Sequence, residues 1–215
     1  MALNKVTTVL FGLDGVIVNT ESYFDTFWNN TAQKSNLKID NFAATVKGMT
    51  LNSIIDLYFN ITTTEEKQAI RKAYKEFSET INYKDIVIDG AIDFIKHLRA
   101  NDYKTGIVTN SSSEKTRLVL EQLSLENDFD IIVTSDTIKN GKPDSMGYTY
   151  ARTNLVSKVT ECVVFEDSLV GIKAAAYSFM PIISLSTSLP EDELKDYSRM
   201  VITDFSNWKQ LVSLF

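Results

Sequence analysis

Short apolar runs rich in β-branched residues recur at positions 6–11, 104–109, 130–134, 161–165, 182–185 and 200–202. They do not alternate with polar residues, and such runs predict strands buried on both faces, as in a parallel sheet. The last two are expected at sheet edges. Between the runs the period lengthens. Apolar residues three and four positions apart predict helices at 91–100, 114–123, 145–155 and 169–178, with a closing helix at 208–214. Ser111 and Glu114 have capping-box spacing for the second of these. Strand and helix in alternation are the mark of βαβ units.

From Thr20 to about Tyr83 the pattern is helical throughout. Phe24, Phe27, Trp28 and Thr31 share one helical face, and Ile54, Ile55, Leu57 and Tyr58 continue the helical pattern further on. Ile70, Ala73, Tyr74, Phe77 and Ile81 keep the period over three turns, opposite Lys67, Arg71, Lys75 and Glu79. The predicted fold is therefore α/β with a mainly parallel sheet. Residues 1–18 and 86–215 form the sheet domain, and 19–85 a helical insertion after the first strand.

The first strand stops at Leu13-Asp14-Gly15 and a second apolar run follows. Taken alone, Asp-Gly between hydrophobic runs fits a hairpin turn as well as a strand-end loop. Three other predicted strands also lead into polar clusters: Asn110-Ser111-Ser112, Gly141-Lys142-Pro143 and Glu166-Asp167-Ser168. Singly, each reads as a helix cap or a surface turn. In open α/β sheets, however, ligands bind at the carboxyl ends of the strands, so the clusters should converge.

A net charge of -6 with no dominant Lys/Arg block argues against nucleic acid as a partner. A small phosphorylated substrate remains compatible, since local cations and amides can hold it. The one cysteine, Cys162, lies in an apolar run and reads as a buried structural thiol. No stretch is long enough to span a bilayer and no basic-then-apolar leader opens the chain, so no membrane association, a cytoplasmic location and a monomer are expected. His97 falls on a predicted helix with no partner in view and reads as structural.

Phosphoryl transfer needs a divalent cation on carboxylates, fixed positive charge for the phosphate oxygens, hydroxyl or amide donors, and a group that moves a proton. Asp14, Glu166 and Asp167 supply carboxylates, Lys142 the cation, and Thr109 and Asn110 the donors. Helix starts after Asn110 and Asp167 add amides suited to an anion.

With these four ordered motifs the chain resembles the haloacid dehalogenase superfamily over essentially its whole length. It is most similar to the branch with a small helical cap, which includes β-phosphoglucomutase and the phosphoglycolate and sugar-phosphate phosphatases. The resemblance implies a Rossmann-like three-layer core, a cap at 19–85, and Mg²⁺-dependent phosphoryl transfer through an aspartyl-phosphate. It makes Asp14 the general acid/base, with its main-chain carbonyl on Mg²⁺. It gives the transferring phosphate to Thr109 and Asn110, charge neutralisation to Lys142, and the metal to Glu166 and Asp167. Thr20, Lys47, Gly48 and Thr50 are the candidates for facing the substrate from the cap side.

The sequence departs from the family pattern at one decisive place. The nucleophilic aspartate, also a metal ligand, is replaced by Gly12, which closes the covalent route. A silencing substitution, a natural pseudoenzyme and an error in the sequence all fit that glycine. Phe24 stands where the mutase pattern wants a histidine, and the loop at 47–50 lacks its arginine. Ser145 also replaces a proline usual after the lysine motif. The expected activity is that of a phosphatase on a small phosphorylated metabolite such as a sugar phosphate, impaired by Gly12. A phosphosugar mutase and a non-catalytic phosphometabolite-binding protein are the alternatives.

Overall fold

The structure, a computed structural model, describes residues 5–60 and 62–215. The chain enters through β1 (Thr8–Phe11) and then runs through four helices, α1 (Glu21–Lys34), α2 (Phe42–Val46), α3 (Leu51–Tyr58) and α4 (Thr64–Thr80). It returns by α5 (Ala91–Ala100), β2 (Lys104–Val108), α6 (Ser113–Leu123), β3 (Ile131–Val133) and α7 (Met146–Asn154). It closes with β4 (Cys162–Glu166), α8 (Leu169–Tyr177), β5 (Ile182–Leu185), α9 (Glu191–Leu194), β6 (Met200–Ile202) and α10 (Trp208–Val212).

The six strands form one parallel sheet in the order β3-β2-β1-β4-β5-β6. Alternate strand residues point to opposite faces. Val9, Phe11, Ile107, Val163 and Phe165 pack with α5, α6 and α10, whereas Leu10, Val108, Val133 and Val164 pack with α7 and α8. The result is the three-layer α/β core that non-alternating apolar strands require.

Two readings of the pattern are corrected. The run at 182–185 is an inner strand, buried along its whole length between β4 and β6, so only β6 lies at that edge. The hairpin option at Asp14-Gly15 also fails, because both neighbours of β1 are distant parallel strands. The segment instead folds back locally, with Gly15 at φ +70 and its N–H donating to the Val18 carbonyl at 2.8 Å. Helices α2 and α9, of five and four residues, are too short for periodicity to show.

The centre of the first face is a cluster of rings. Phe11 and Phe165, paired in register across β1 and β4, stack with centroids 5.4 Å apart. Phe94 of α5 meets Phe165 edge-on at 5.5 Å and stacks on Phe205 at 5.3 Å. Helices α1 to α4 bury a separate apolar group, including Trp28, Phe42, Ile55 and Phe59. Cys162 is buried, and burial pushes its thiol up to about 11. His97 lies on Trp208 with ring centroids 4.4 Å apart.

Phe94→Ala should cost about 3–5 kcal/mol of unfolding free energy in urea titrations, because it empties the middle of the ring cluster. Leu57→Ser, at a position 62% exposed on α3, should stay within about 0.5 kcal/mol. Equal losses would contradict the placement of the core.

Candidate active site

The order β2-β1-β4 sets three strand ends side by side, so the loops at Gly12–Asp14, Thr109–Ser111 and Glu166–Ser168 meet. Lys142 arrives on the connection between β3 and α7. All four border one cavity of about 110 Å³, which Phe24, Trp28 and Tyr74 of the helical insertion also line. The polar clusters therefore converge where an open α/β sheet binds its ligands.

At the centre stands Gly12, whose N–H donates to the Phe165 carbonyl at 2.9 Å. A Cβ built on it would lie 2.9 Å from Val16 Cγ2 and 3.3 Å from Glu166 Oε1. A side chain here would thus point at the carboxylate end of the site, with one methyl group of Val16 obliged to move.

Asp14 is the most heavily bonded group. Its Oδ1 accepts from Thr20 Oγ1 and Lys115 Nζ, and its Oδ2 from Ser111 Oγ, each at 2.6 Å. Burial alone would raise its pKa, but the Lys115 ammonium and the three donors outweigh burial and hold the carboxyl below the usual range. Burial likewise opposes the charge on Lys115, and Asp14 beside it more than compensates, so its pKa is raised. Neither Lys115 nor the side chain of Ser111 has a role in the sequence-derived site. The capping box expected from Ser111 is corrected: Ser112 is the N-cap of α6, accepting from Lys115 N at 3.3 Å, which releases Ser111 to reach Asp14. A signal for Lys115 did exist, since it falls on the face of α6 that also carries Val119 and Leu123, where a charge needs a buried partner.

Glu166 is buried, and its Oε1 is shared by two donors. Lys142 Nζ is bonded to its Oε1, and Tyr148 of α7 donates its hydroxyl to the same atom at 2.5 Å. Burial and the Glu166 charge push the Tyr148 phenol well above its usual pKa, so it stays a donor. Tyr148 reads in sequence as an ordinary core aromatic. Gly171 on α8 is required here, since a Cβ would overlap the Glu166 carboxylate. Asp167 is buried next door and receives the Ser188 hydroxyl. Its neighbour Ser168 caps α8, accepting from Gly171 N at 3.2 Å.

The remaining predicted residues divide. Thr109 is buried, with its oxygen accepting from Ser111 N at 3.0 Å, which leaves the hydroxyl proton to donate. The Asn110 side chain is spent otherwise. Its Nδ2 donates to the Gly48 carbonyl at 2.7 Å and the Lys142 carbonyl at 3.0 Å, while Oδ1 accepts from Lys142 N at 2.8 Å. Only its main chain is left to serve an anion. Gly48 is thus a clasp point between insertion and sheet domain, at φ +76 and too close to Val170 for any side chain. Lys47 borders the cavity and is ion-paired to Glu21. Thr50 does not border the cavity: it caps α3, accepting from Ser53 N at 3.1 Å. No helix among the described residues is long and apolar enough to cross a membrane.

Known proteins are similar to this chain in sequence and fold. The chain is 22% identical over 191 residues to validoxylamine A 7′-phosphate phosphatase of Streptomyces hygroscopicus subsp. limoneus, covering 87% of this chain and 89% of the relative. It is 24% identical over 192 residues to β-phosphoglucomutase of Bacillus subtilis, covering 85% and 84% respectively. Among solved structures, β-phosphoglucomutase from Clostridium difficile superposes with a TM-score of 0.81 at 21% identity, over 97% of this chain and 96% of that one. Residues 9–184 match the family model of the haloacid dehalogenase-like hydrolases, and the chain belongs to that family.

Proposed function

We propose that this chain is the scaffold of a Mg²⁺-dependent phosphohydrolase for a small phosphorylated metabolite, with its nucleophile position vacated. The observation that carries this reading is the meeting of Asp14, Thr109, Lys142 and the Glu166–Asp167 pair around one cavity, with the Cα–Cβ direction of Gly12 aimed into it. Relatives bearing phosphatase names support the reaction class. The mutase alternative is weaker, because Phe24 is packed on Tyr74 and Phe77 at 5.1 and 5.6 Å in place of a polar sugar contact. The binding-protein alternative is favoured by Gly12 itself.

With an aspartate at position 12, its carboxylate would attack phosphorus while Asp14 gives a proton to the departing ester oxygen. Asp14 would then take a proton from the water that cleaves the acyl phosphate. Lys142 would neutralise charge on the phosphoryl oxygens, and Thr109 Oγ1 with the amides at the start of α6 would hold them. In the present chain the first of these steps has no nucleophile.

The metal site is reduced to match. Among the described residues no group of three acidic, His or Cys side chains is gathered to hold an ion. Asp167 nevertheless fits a cation. Burial and the adjacent Glu166 charge push its carboxyl well above the usual range, the sign of a buried carboxylate short of positive charge. Asp167, Glu166 and the Asp14 carbonyl would hold Mg²⁺, which would supply charge neutralisation at the phosphoryl oxygens.

Gly12→Asp should raise Mg²⁺-dependent phosphate release by on the order of 10³-fold or more, on a panel of sugar phosphates, pyrophosphate and an aryl phosphate. Lys142→Met in that background should abolish the gain. Silence of Gly12→Asp on every ester, with phosphate still bound, would favour the binding protein. Asp167→Asn, measured in chelator, should raise Tm by about 2–4 °C at pH 7, roughly 1 kcal/mol. The sign follows from a raised folded pKa: the native state binds the extra proton, so stability falls as pH rises from the unfolded carboxylate pKa toward the folded one. The gain should therefore vanish near pH 4. A gain that persists there would contradict a buried, uncompensated Asp167 charge.

A further inference from the structure

Strands β4 and β5 are parallel neighbours, so the segment that follows β5 also reaches the ligand-binding edge of the sheet. Two hydroxyls arrive there. Thr187 donates to the Gly15 carbonyl at 2.5 Å, which anchors the segment on the turn that follows Asp14, and Ser188 donates to Asp167 Oδ2. Gly15 and Asp167 also touch, since a Cβ on Gly15 would overlap Asp167 Oδ2. The dipeptide Thr187-Ser188 therefore ties the Asp14 turn and the Asp167 carboxylate to one point. Neither residue borders the cavity, so each acts through the group it holds.

The hydrogen bonds also show which carboxylate oxygens remain for a cation. Glu166 Oε1 is shared by Lys142 and Tyr148, and Oε2 accepts from Asp167 N at 3.2 Å and from Ser168 Oγ at 3.4 Å. Asp167 Oδ2 is turned to Ser188. Asp167 Oδ1 is thus the one carboxylate oxygen of the pair with no hydrogen bond among the described residues, and its side chain borders the cavity. Gly12 adds no carboxylate. An aspartate end group rotates freely unless a partner fixes one oxygen, and for Asp167 that partner is Ser188.

We infer that Ser188 is a positioning residue for a divalent cation: by holding Asp167 Oδ2 it presents Oδ1 to the ion, on a loop that Thr187 anchors to the turn beside the Asp14 carbonyl. The inference rests on the metal site of the proposed function and deepens it. Outer hydrogen bonds of this kind set the orientation of a ligating carboxylate, and losing one typically costs about 10–100-fold in metal affinity.

The test is titration of Mn²⁺, a spectroscopic stand-in for Mg²⁺, into the full chain and into its Gly12→Asp form. The electron paramagnetic resonance signal of the free ion gives the affinity, and Tm in chelator checks folding. Asp167→Asn should remove the site in both forms. Ser188→Ala should weaken Mn²⁺ binding about tenfold or more and shift Tm in chelator by no more than about 4 °C. Ser188→Thr, which keeps the hydroxyl, should stay within about threefold of the parent affinity, a rescue that a purely structural role would not give. Unchanged affinity in Ser188→Ala, a loss that Ser188→Thr does not rescue, or a larger fall in Tm would overturn the inference. Parent binding that Asp167→Asn removes would in those cases leave the metal site itself standing. No Mn²⁺ binding by either parent form, or binding that survives Asp167→Asn, would overturn both.

Discussion

Two buried ion pairs set the terms for everything around them. Lys142 on Glu166 and Lys115 on Asp14 place four charges at the carboxyl ends of β1 and β4 and on the loops facing them. Breaking such a pair by removing one partner costs about 3–5 kcal/mol, so the loops carrying these groups cannot drift independently. Added donors fix the geometry further: Tyr148 on Glu166, and Ser111 and Thr20 on Asp14. A fifth charge, on Asp167, has only a hydroxyl, and the site is left locally short of positive charge there.

The same network ties the helical insertion to the sheet. Thr20, at the crossing into α1, bonds Asp14, while the Gly48 carbonyl receives Asn110. Phe24 lies against the Lys115 ammonium. Each of these contacts joins the insertion to a residue that also borders the cavity. The insertion is thus tied to the sheet domain through residues that line the cavity themselves.

Against this background the glycine at position 12 is a local departure from the family pattern. Its neighbours keep the spacing and burial that a carboxylate there would use, and its backbone is one that any residue can adopt. Lys142, which would otherwise face that carboxylate, rests on Glu166.

Much of the architecture was legible in sequence because it is encoded locally. Non-alternating runs such as 161–165 read as strands covered on both faces, and the three-turn period from Ile70 to Ile81 reads as an amphipathic helix. Motif spacing likewise singled out Asp14, Thr109, Lys142 and Glu166–Asp167, which the fold brings to the border of one cavity. Local patterns did not reveal which side chains each group would meet. Ser111 looked like a cap and is a ligand of Asp14, whereas Thr50 looked like a site residue and is a cap. The Asn110 side chain meets the Gly48 and Lys142 carbonyls, partners that sequence spacing did not show. Lys115 meets Asp14 across 101 positions of sequence and Tyr148 meets Glu166 across 18. The sequence by itself determined the longer elements, the α/β layering and the residue types at the strand ends. Only the tertiary structure decided their pairing, because the partner of a buried charge is set by the three-dimensional neighbourhood that excludes water, not by the residues beside it in the chain.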